Sequence, residues 1–342
     1  MNQRELPRPA ALQLALRMQD QIGRGRFPPG AKYLGAETAA RHFGVRKAVA
    51  NQALQILAHR GLVIRKPRLG TIIAARPAAT PDLARIVLVT QVDYPGTEGQ
   101  QEGAITSGLQ SVFPGSDVQL HNLEGSEASD RIANLIRDAL KSSTPSGLIV
   151  IRGSLAVQQS AAESGLPSVV YGSVWPGVKL SGLNVDNAAI AMQLTRALFE
   201  RGAKRVLLLR RDRTSPGEND LLQGAIDVSR EMARQLDVLE LPESKKLVRA
   251  AVRQHLSTVD DDCAVLAATP FLAAAVGRLM PLGAIACGSI HPVPGNPQIL
   301  RCAADLDFRQ QGQMLGQLLQ RPEEPTLVQK ITCHLMPQSN QK

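Results

Sequence analysis

The chain has 342 residues, 44% hydrophobic and 20% charged, enough for two or three cored domains and far from a disordered or collagenous composition. No run approaches the roughly 18 uncharged apolar residues of a membrane span, and residues 1–10 have neither an apolar signal core nor a small-residue cleavage pattern, so a cytoplasmic protein with no membrane partner is expected. The formal charge of +9 is unevenly spread: residues 1–80 hold fourteen Lys/Arg against three Asp/Glu, a local +11, whereas the other 262 residues hold 25 against 27, or −2.

Taken along the chain, Leu12, Leu16, Met18 and Ile22 stand near helical spacing and predict a first helix over residues 10–24, closed by Gly23 and Gly25 before the turn Pro28-Pro29-Gly30. Glu37 to Phe43 predicts a short second helix. Gly44, free to adopt positive φ, then suits a sharp turn into a third helix, the pattern of a helix-turn-helix. In that third helix Val49, Ala50, Ala53, Leu54 and Leu57 form the inward face, which leaves Arg46, Lys47 and Asn51 on the outward one. Leu62 to Arg65 and Thr71 to Ile73 read as two strands of a hairpin whose tip carries Arg65, Lys66 and Arg68. Three helices followed by a basic hairpin are the layout of a winged helix. Clustered cations gain affinity for nucleic acid by releasing condensed counterions, Arg and Lys reach phosphates or guanine edges, and Asn can pair with adenine. Arg46, Lys47, Asn51, Arg65, Lys66 and Arg68 are therefore the expected DNA-contacting residues.

The pieces Pro29-Gly30, Ala39-Ala40-Arg41-His42-Phe43-Gly44-Val45, Ala53-Leu54, Leu57, Gly61-Leu62-Val63 and Gly70-Thr71 resemble the amino-terminal domain of GntR-type transcription regulators over residues 10–74. The resemblance implies duplex DNA as partner and a recognition helix in the major groove. Leu34-Gly35-Ala36-Glu37 departs from the family's usual Pro-Ser-Glu-Arg. Asn51 replaces a usual arginine, Arg46 a usual serine and Arg68 the first glycine of the hairpin's Gly-x-Gly, so the docking mode carries over better than the operator sequence.

Two prolines and no apolar periodicity mark residues 76–82 as a linker between a winged-helix domain (1–75) and a larger domain (83–337). Strand-like runs recur there at Ile86–Val89, Val118–Leu120, Leu148–Ile151, Ser168–Tyr171, Val206–Leu209, Ala264–Ala267 and Ala284–Ala286, with helical stretches between most of them. That alternation predicts an α/β fold with parallel sheet covered on both faces. Such sheets bind ligands at the carboxyl ends of their strands, which points to Tyr94, Arg152, Trp175, Arg211, Arg213, Thr269 and His291.

Ile86 to Gln91, Gly165-Leu166-Pro167-Ser168-Val169-Val170, Leu183-Asn184-Val185-Asp186-Asn187 and Arg201-Gly202-Ala203-Lys204-Arg205-Val206 resemble, in order and spacing, the LacI-type effector domain, which shares its fold with periplasmic sugar-binding proteins. The resemblance implies two lobes, about 83–175 with 308–321 and about 180–302 with 326–337, a ligand cleft between them, and a homodimer. Its sugar-gripping positions differ: Thr269-Pro270 stands for Asn-Asp, Gly288-Ser289-Ile290 for Gly-x-Asp, and Leu221 for an arginine. The expected effector is a sugar or an anionic metabolite, the latter suited by Arg152, Arg211 and Arg213.

No catalytic, metal or cofactor motif is legible. Gly96-Thr97-Glu98-Gly99 lacks the ending of a phosphate loop, Asp260-Asp261-Asp262 reads as a solvated turn, and Ser154 lacks a nucleophile elbow. Cys263, Cys287, Cys302 and Cys333 are scattered, as buried thiols are. The expectation is a DNA-binding transcription regulator, a repressor controlled by a small ligand and not an enzyme. The alternatives are a constitutive DNA-binding protein with a vestigial cleft, and an α/β enzyme fused to a DNA-binding domain.

Overall fold

A computed structural model describes residues 9–23, 27–66, 70–74, 83–91, 99–123, 127–211, 215–241, 245–256, 262–291, 293, 295–296, 298–321 and 327–336. They fall into two compact units, one drawn from 1–92, 103–183 and 308–329 and the other from 93–102, 184–307 and 330–342. The expected linker lies outside the described residues.

The first unit opens with helices α1 (Pro9–Gly23), α2 (Ala36–Phe43) and α3 (Lys47–His59), followed by strands β1 (Val63–Lys66) and β2 (Gly70–Ile73). The strands pair antiparallel from Val63 opposite Ile73 to Lys66 opposite Gly70. Gly44 ends α2 at φ 67°, and its N–H donates to the Ala40 carbonyl. A residue with a Cβ is strained in that left-handed conformation, so glycine sets the angle between α2 and α3. The buried face of α1 is Ala11, Leu14, Ala15, Met18 and Ile22, whereas Leu16 is exposed. The expected stripe is thus rotated. Alanines at 11 and 15 are fully buried in this core, where the larger side chain of a leucine would force the packing apart.

The same unit contains a six-stranded sheet in the order β13-β7-β6-β5-β3-β4. Its strands are β3 (Arg85–Thr90), β4 (Asp117–Asn122), β5 (Ser146–Ile151), β6 (Ser168–Tyr171), β7 (Ser181–Val185) and β13 (Val328–Ile331). Pairing is parallel from β7 through to β4. All six residues of β5 are buried, as two-sided helical cover requires of a central parallel strand. That cover comes from α4 (Gly99–Val112), α5 (Ala128–Lys141), α6 (Leu155–Glu163) and α11 (Phe308–Gln320). Gly108 and Gly312 bring α4 and α11 together so closely that a Cβ on Gly108 would lie 2.1 Å from the Arg309 carbonyl oxygen.

The amino-terminal helices share one continuous core with this sheet: Leu54, Ile56 and Leu57 belong to the same buried cluster as Ile132, Ile136 and Leu140 of α5 and Val87 and Leu148 of the sheet. Gly165, at φ 80°, lies under Ile56, whose Cδ1 would be 2.8 Å from a Cβ there. Polar contacts follow the same seam. Gln55 Nε2 donates to the Ser142 carbonyl at 3.2 Å, Arg60 Nε to the Gly165 carbonyl at 3.4 Å, and the Ser146 N–H to His59 Nδ1 at 3.3 Å.

The second unit carries the sheet β14-β12-β11-β10-β8-β9, built from β8 (Arg205–Arg211), β9 (Gln235–Leu241), β10 (Cys263–Ala267), β11 (Ile285–Cys287), β12 (Leu300–Ala304) and β14 (Cys333–Leu335). Its pairs are parallel except β12 with β14. Helices α7 (Asn187–Glu200), α8 (Pro216–Glu231), α9 (Lys245–Leu256) and α10 (Pro270–Val276) complete it. Gly224 permits tight α7–α8 packing, since a Cβ there would sit 2.2 Å from the Ala188 carbonyl oxygen. Both β7 and β13 belong to the first sheet, so the expected lobe boundaries near 180 and 326 fall before strands that still extend the first sheet.

Candidate nucleic-acid interface

Arg46 is the N-cap residue of α3, extended at φ −66° and ψ 144°, and its side chain starts from the exposed end of the helix just past the Gly44 turn. Lys47 follows it, 3.5 Å from Glu37 of α2, with both side chains about 70% exposed. A pair so solvated is worth at most about 1 kcal/mol, so a phosphate competes easily for Lys47. Asn51 is exposed one turn further along.

Arg65, expected to contact DNA from the hairpin tip, is exposed and also engages α3. Its Nη1 donates to Gln55 Oε1 at 2.6 Å and its Nη2 to Asn51 Oδ1 at 2.7 Å. The guanidinium therefore straps the hairpin to the outer face of α3, and partial burial pulls its pKa below the usual arginine range. Strapping also fixes the Asn51 amide: its carbonyl oxygen accepts a hydrogen bond from Arg65, which leaves the NH₂ and one lone pair for another partner. Lys66 is exposed at the end of β1, and Arg68 lies outside the described residues.

Beyond Asn51 the outer face of α3 borders a groove of about 410 Å³ lined by Ala48, Asn51, Gln52 and Gln55 together with Arg137, Leu140 and Lys141 of α5. Sequence reasoning missed Arg137 and Lys141. Their spacing, two cations four apart on a helix of otherwise mixed charge, was the available signal, but nothing linked that helix to α3.

The ligand-site residues divide between the units. Arg152 follows β5 with a left-handed φ of 52° and an exposed side chain, and its backbone N–H donates to the Tyr171 carbonyl at 3.0 Å. Trp175 is tied down: its indole N–H donates to the Gly153 carbonyl at 3.1 Å, and its backbone N–H to Oε1 of the buried Gln158 at 3.0 Å. In the second unit Thr269 caps α10 by accepting the Leu272 N–H at 3.3 Å, and the His291 N–H donates to Ser289 Oγ at 3.2 Å. Arg211 is held by Glu218 at 2.8 Å, where burial raises the carboxyl's pKa against the pull of the guanidinium. Arg211 is therefore engaged within the fold and is not the ready anion contact expected of it. Leu221 is buried against Gly288, where a Cβ would meet Leu221 Cδ1 at 2.2 Å. Tyr94 and Arg213 lie outside the described residues. Among those described, no three His, Cys, Asp or Glu side chains are grouped to hold a metal ion, and no helix is long and apolar enough to cross a membrane.

No protein-family profile and no curated protein matches the sequence. Solved structures do match the fold. A protein described as a probable maltose operon transcriptional repressor, from Staphylococcus aureus, superposes with a TM-score of 0.62 at 14% identity, over 76% of this chain and 98% of its own. The transcriptional regulator CelR in complex with cellobiose gives 0.58 at 15%, over 89% of this chain and 99% of its own. The regulator CcpA of Lactococcus lactis gives 0.59 at 16%, over 76% and 100%. With two α/β units, each built on a largely parallel sheet, the chain has the fold of LacI-type regulator structures.

Proposed function

We propose that this protein is a sequence-specific DNA-binding transcription regulator of the repressor type, governed by a small ligand. In this reading α1–α3 with the β1–β2 hairpin are a GntR-type winged helix, residues 1–75, and the α/β part is a LacI-like effector domain that pairs two copies into a homodimer. The observation that carries it is the exposed row Arg46, Lys47 and Asn51 at the start of α3, behind a glycine-set turn, in a chain whose α/β fold is that of transcription regulators. The first turns of a recognition helix reach base edges while hairpin cations such as Lys66 and Arg68 reach phosphates. Two half-sites are read at once, so a ligand that binds two forms of the dimer unequally changes DNA affinity.

Gel shifts on the protein's own promoter region test this. Neutralising six to ten phosphates predicts a loss of about 10³ to 10⁵ in affinity between 50 and 200 mM salt. Reversing charge at Arg46 and Lys47 together abolishes the shift. Failure to bind any duplex at low ionic strength overturns the reading.

The second reading, a constitutive regulator, is favoured by one feature of the second unit. Near the carboxyl ends of β8 and β11, Arg211 is tied to Glu218 and Leu221 fills the space beside Gly288, so fewer polar groups remain to grip hydroxyls. Tyr94, Arg152, Trp175, Arg213, Thr269 and His291 are the proposed ligand contacts. A thermal-shift screen of sugars, sugar acids and phosphosugars separates the readings, since a ligand at 100 times its Kd adds about 2.7 kcal/mol.

A further inference from the structure

The groove between α3 and α5 places two cations of the α/β unit beside the proposed recognition helix. Its lining side chains are three amides, two cations, an alanine and a leucine, with no carboxylate. Two of the three amides are already engaged through their oxygens. Oδ1 of Asn51 and Oε1 of Gln55 each accept one hydrogen bond from Arg65, while the Asn51 NH₂ and one N–H of Gln55, whose other N–H is held by the Ser142 carbonyl, remain as donors.

Opposite them, Arg137 donates from Nη1 to Asn134 Oδ1 at 2.6 Å, and its buried Nε has no hydrogen-bond partner among the described residues. Lys141 is 3.6 Å from Asp138, an exposed pair that solvent screens. A cation in the last turn of a helix complements the helix dipole, which accounts for Lys141. It does not account for Arg137, a full turn earlier on the face that meets α3. A lining of amides and cations with no carboxylate of its own, Asp138 lying exposed beside Lys141, suits an anion, and this surface is continuous with Asn51.

We propose that the DNA-binding surface extends from α3 onto the first α/β unit, where Arg137 and Lys141 bind backbone phosphates of the same duplex that α3 reads. The proposal rests on the DNA-binding function above. The seam makes it specific: Gln55, His59 and Arg60 tie α3 to Ser142, Ser146 and Gly165, so α5 is held at a fixed offset from the recognition helix. Phosphate contacts of this kind position the protein without reading sequence.

The test uses the full-length chain and fluorescence anisotropy on duplex DNA across a salt series, comparing wild type with R137Q/K141Q and with R131Q. Arg131 is on α5 but outside the groove, paired to Glu127 at 3.8 Å. The double variant keeps the wild-type Tm, and the negative slope of log K against log salt becomes shallower by about 2, because two phosphate contacts are lost. Affinity falls about 10- to 100-fold, equally for operator and non-operator duplexes, while R131Q matches wild type.

An unchanged slope in R137Q/K141Q, with Arg46 and Lys47 still essential, overturns this proposal and leaves the function standing. Wild-type protein that binds no duplex overturns both. Stabilisation of wild type but not of the double variant by inorganic phosphate, with the DNA slope unchanged, identifies a small-anion pocket and likewise counts against the proposal.

Discussion

His59 ends α3 buried in the seam, 3% exposed, with the Ser146 N–H donating to its Nδ1. That hydrogen bond requires an unprotonated nitrogen, and burial lowers the ring's pKa from 6.5 to about 4, with Arg85 nearby adding to the effect and the Leu140 carbonyl opposing it. The sign follows directly. The unfolded chain takes up a proton as pH falls through 6.5 whereas the folded one resists until about 4, so the stability present above pH 6.5 is lost across that window. At about 1.4 kcal/mol per unit the loss is on the order of 3 kcal/mol. The buried carboxyl of Glu218, with its pKa raised, has the opposite dependence, so the comparison must isolate His59. Urea titrations at pH 7 and pH 4.5 do this with His59→Gln, which can still accept from Ser146 but does not titrate. Wild type should lose about 2 kcal/mol more than the variant between these two pH values, and equal losses would show that His59 is not the group that resists protonation.

Among the secondary-structure elements, those read correctly from sequence were marked by apolar runs or by glycine. Leu148–Ile151 and Ser168–Tyr171 lie within β5 and coincide with β6 because two-sided burial leaves little room for polar residues. β9 was not picked out. Among the described residues it pairs with β8 alone, at the end of its sheet, and its mix of exposed and half-buried positions in Gln235–Leu241 dilutes the apolar signal. The rotated face of α1 escaped for a related reason, since a stripe that relies on alanine for close packing gives a weak hydrophobic pattern. Sequence also gave Arg46, Lys47 and Asn51 their exposed positions but not the strap from Arg65, which depends on hairpin register, nor the groove to α5. Two glycines test whether turn or packing dominates. Gly44→Ala, with nothing within 4 Å of the new Cβ, meets only the cost of a left-handed alanine, about 1–2 kcal/mol. Gly165→Ala meets that cost and also Ile56 at 2.8 Å, adding about 1–3 kcal/mol of overpacking. Equal losses of stability in denaturant titrations would mean that Ile56 moves aside at no cost.

At the scale of the molecule, charge and packing divide the chain in different places. Charge marks off residues 1–80 as a basic module, yet the hydrophobic core runs from Leu14 and Leu54 through Ile56 into Ile132 and Leu148 without interruption. Electrostatics marks where a polyanion would be attracted, whereas burial records what folds together, and nothing requires the two boundaries to coincide. A head packed in this way is not a freely tethered one, because whatever reshapes the first α/β unit carries α3 with it. The chain's one tryptophan, Trp175, reports on the α/β part of that unit, where Gly153 and Gln158 hold it. Ile56→Ala, made in the basic module, opens a cavity at the seam and should cost about 2–5 kcal/mol. In urea the midpoints of Trp175 fluorescence and of far-ultraviolet circular dichroism for the first unit should fall together, because a shared core unfolds cooperatively. A fluorescence midpoint left in place while helical signal is lost early would show instead that the head folds independently of the sheet beneath it.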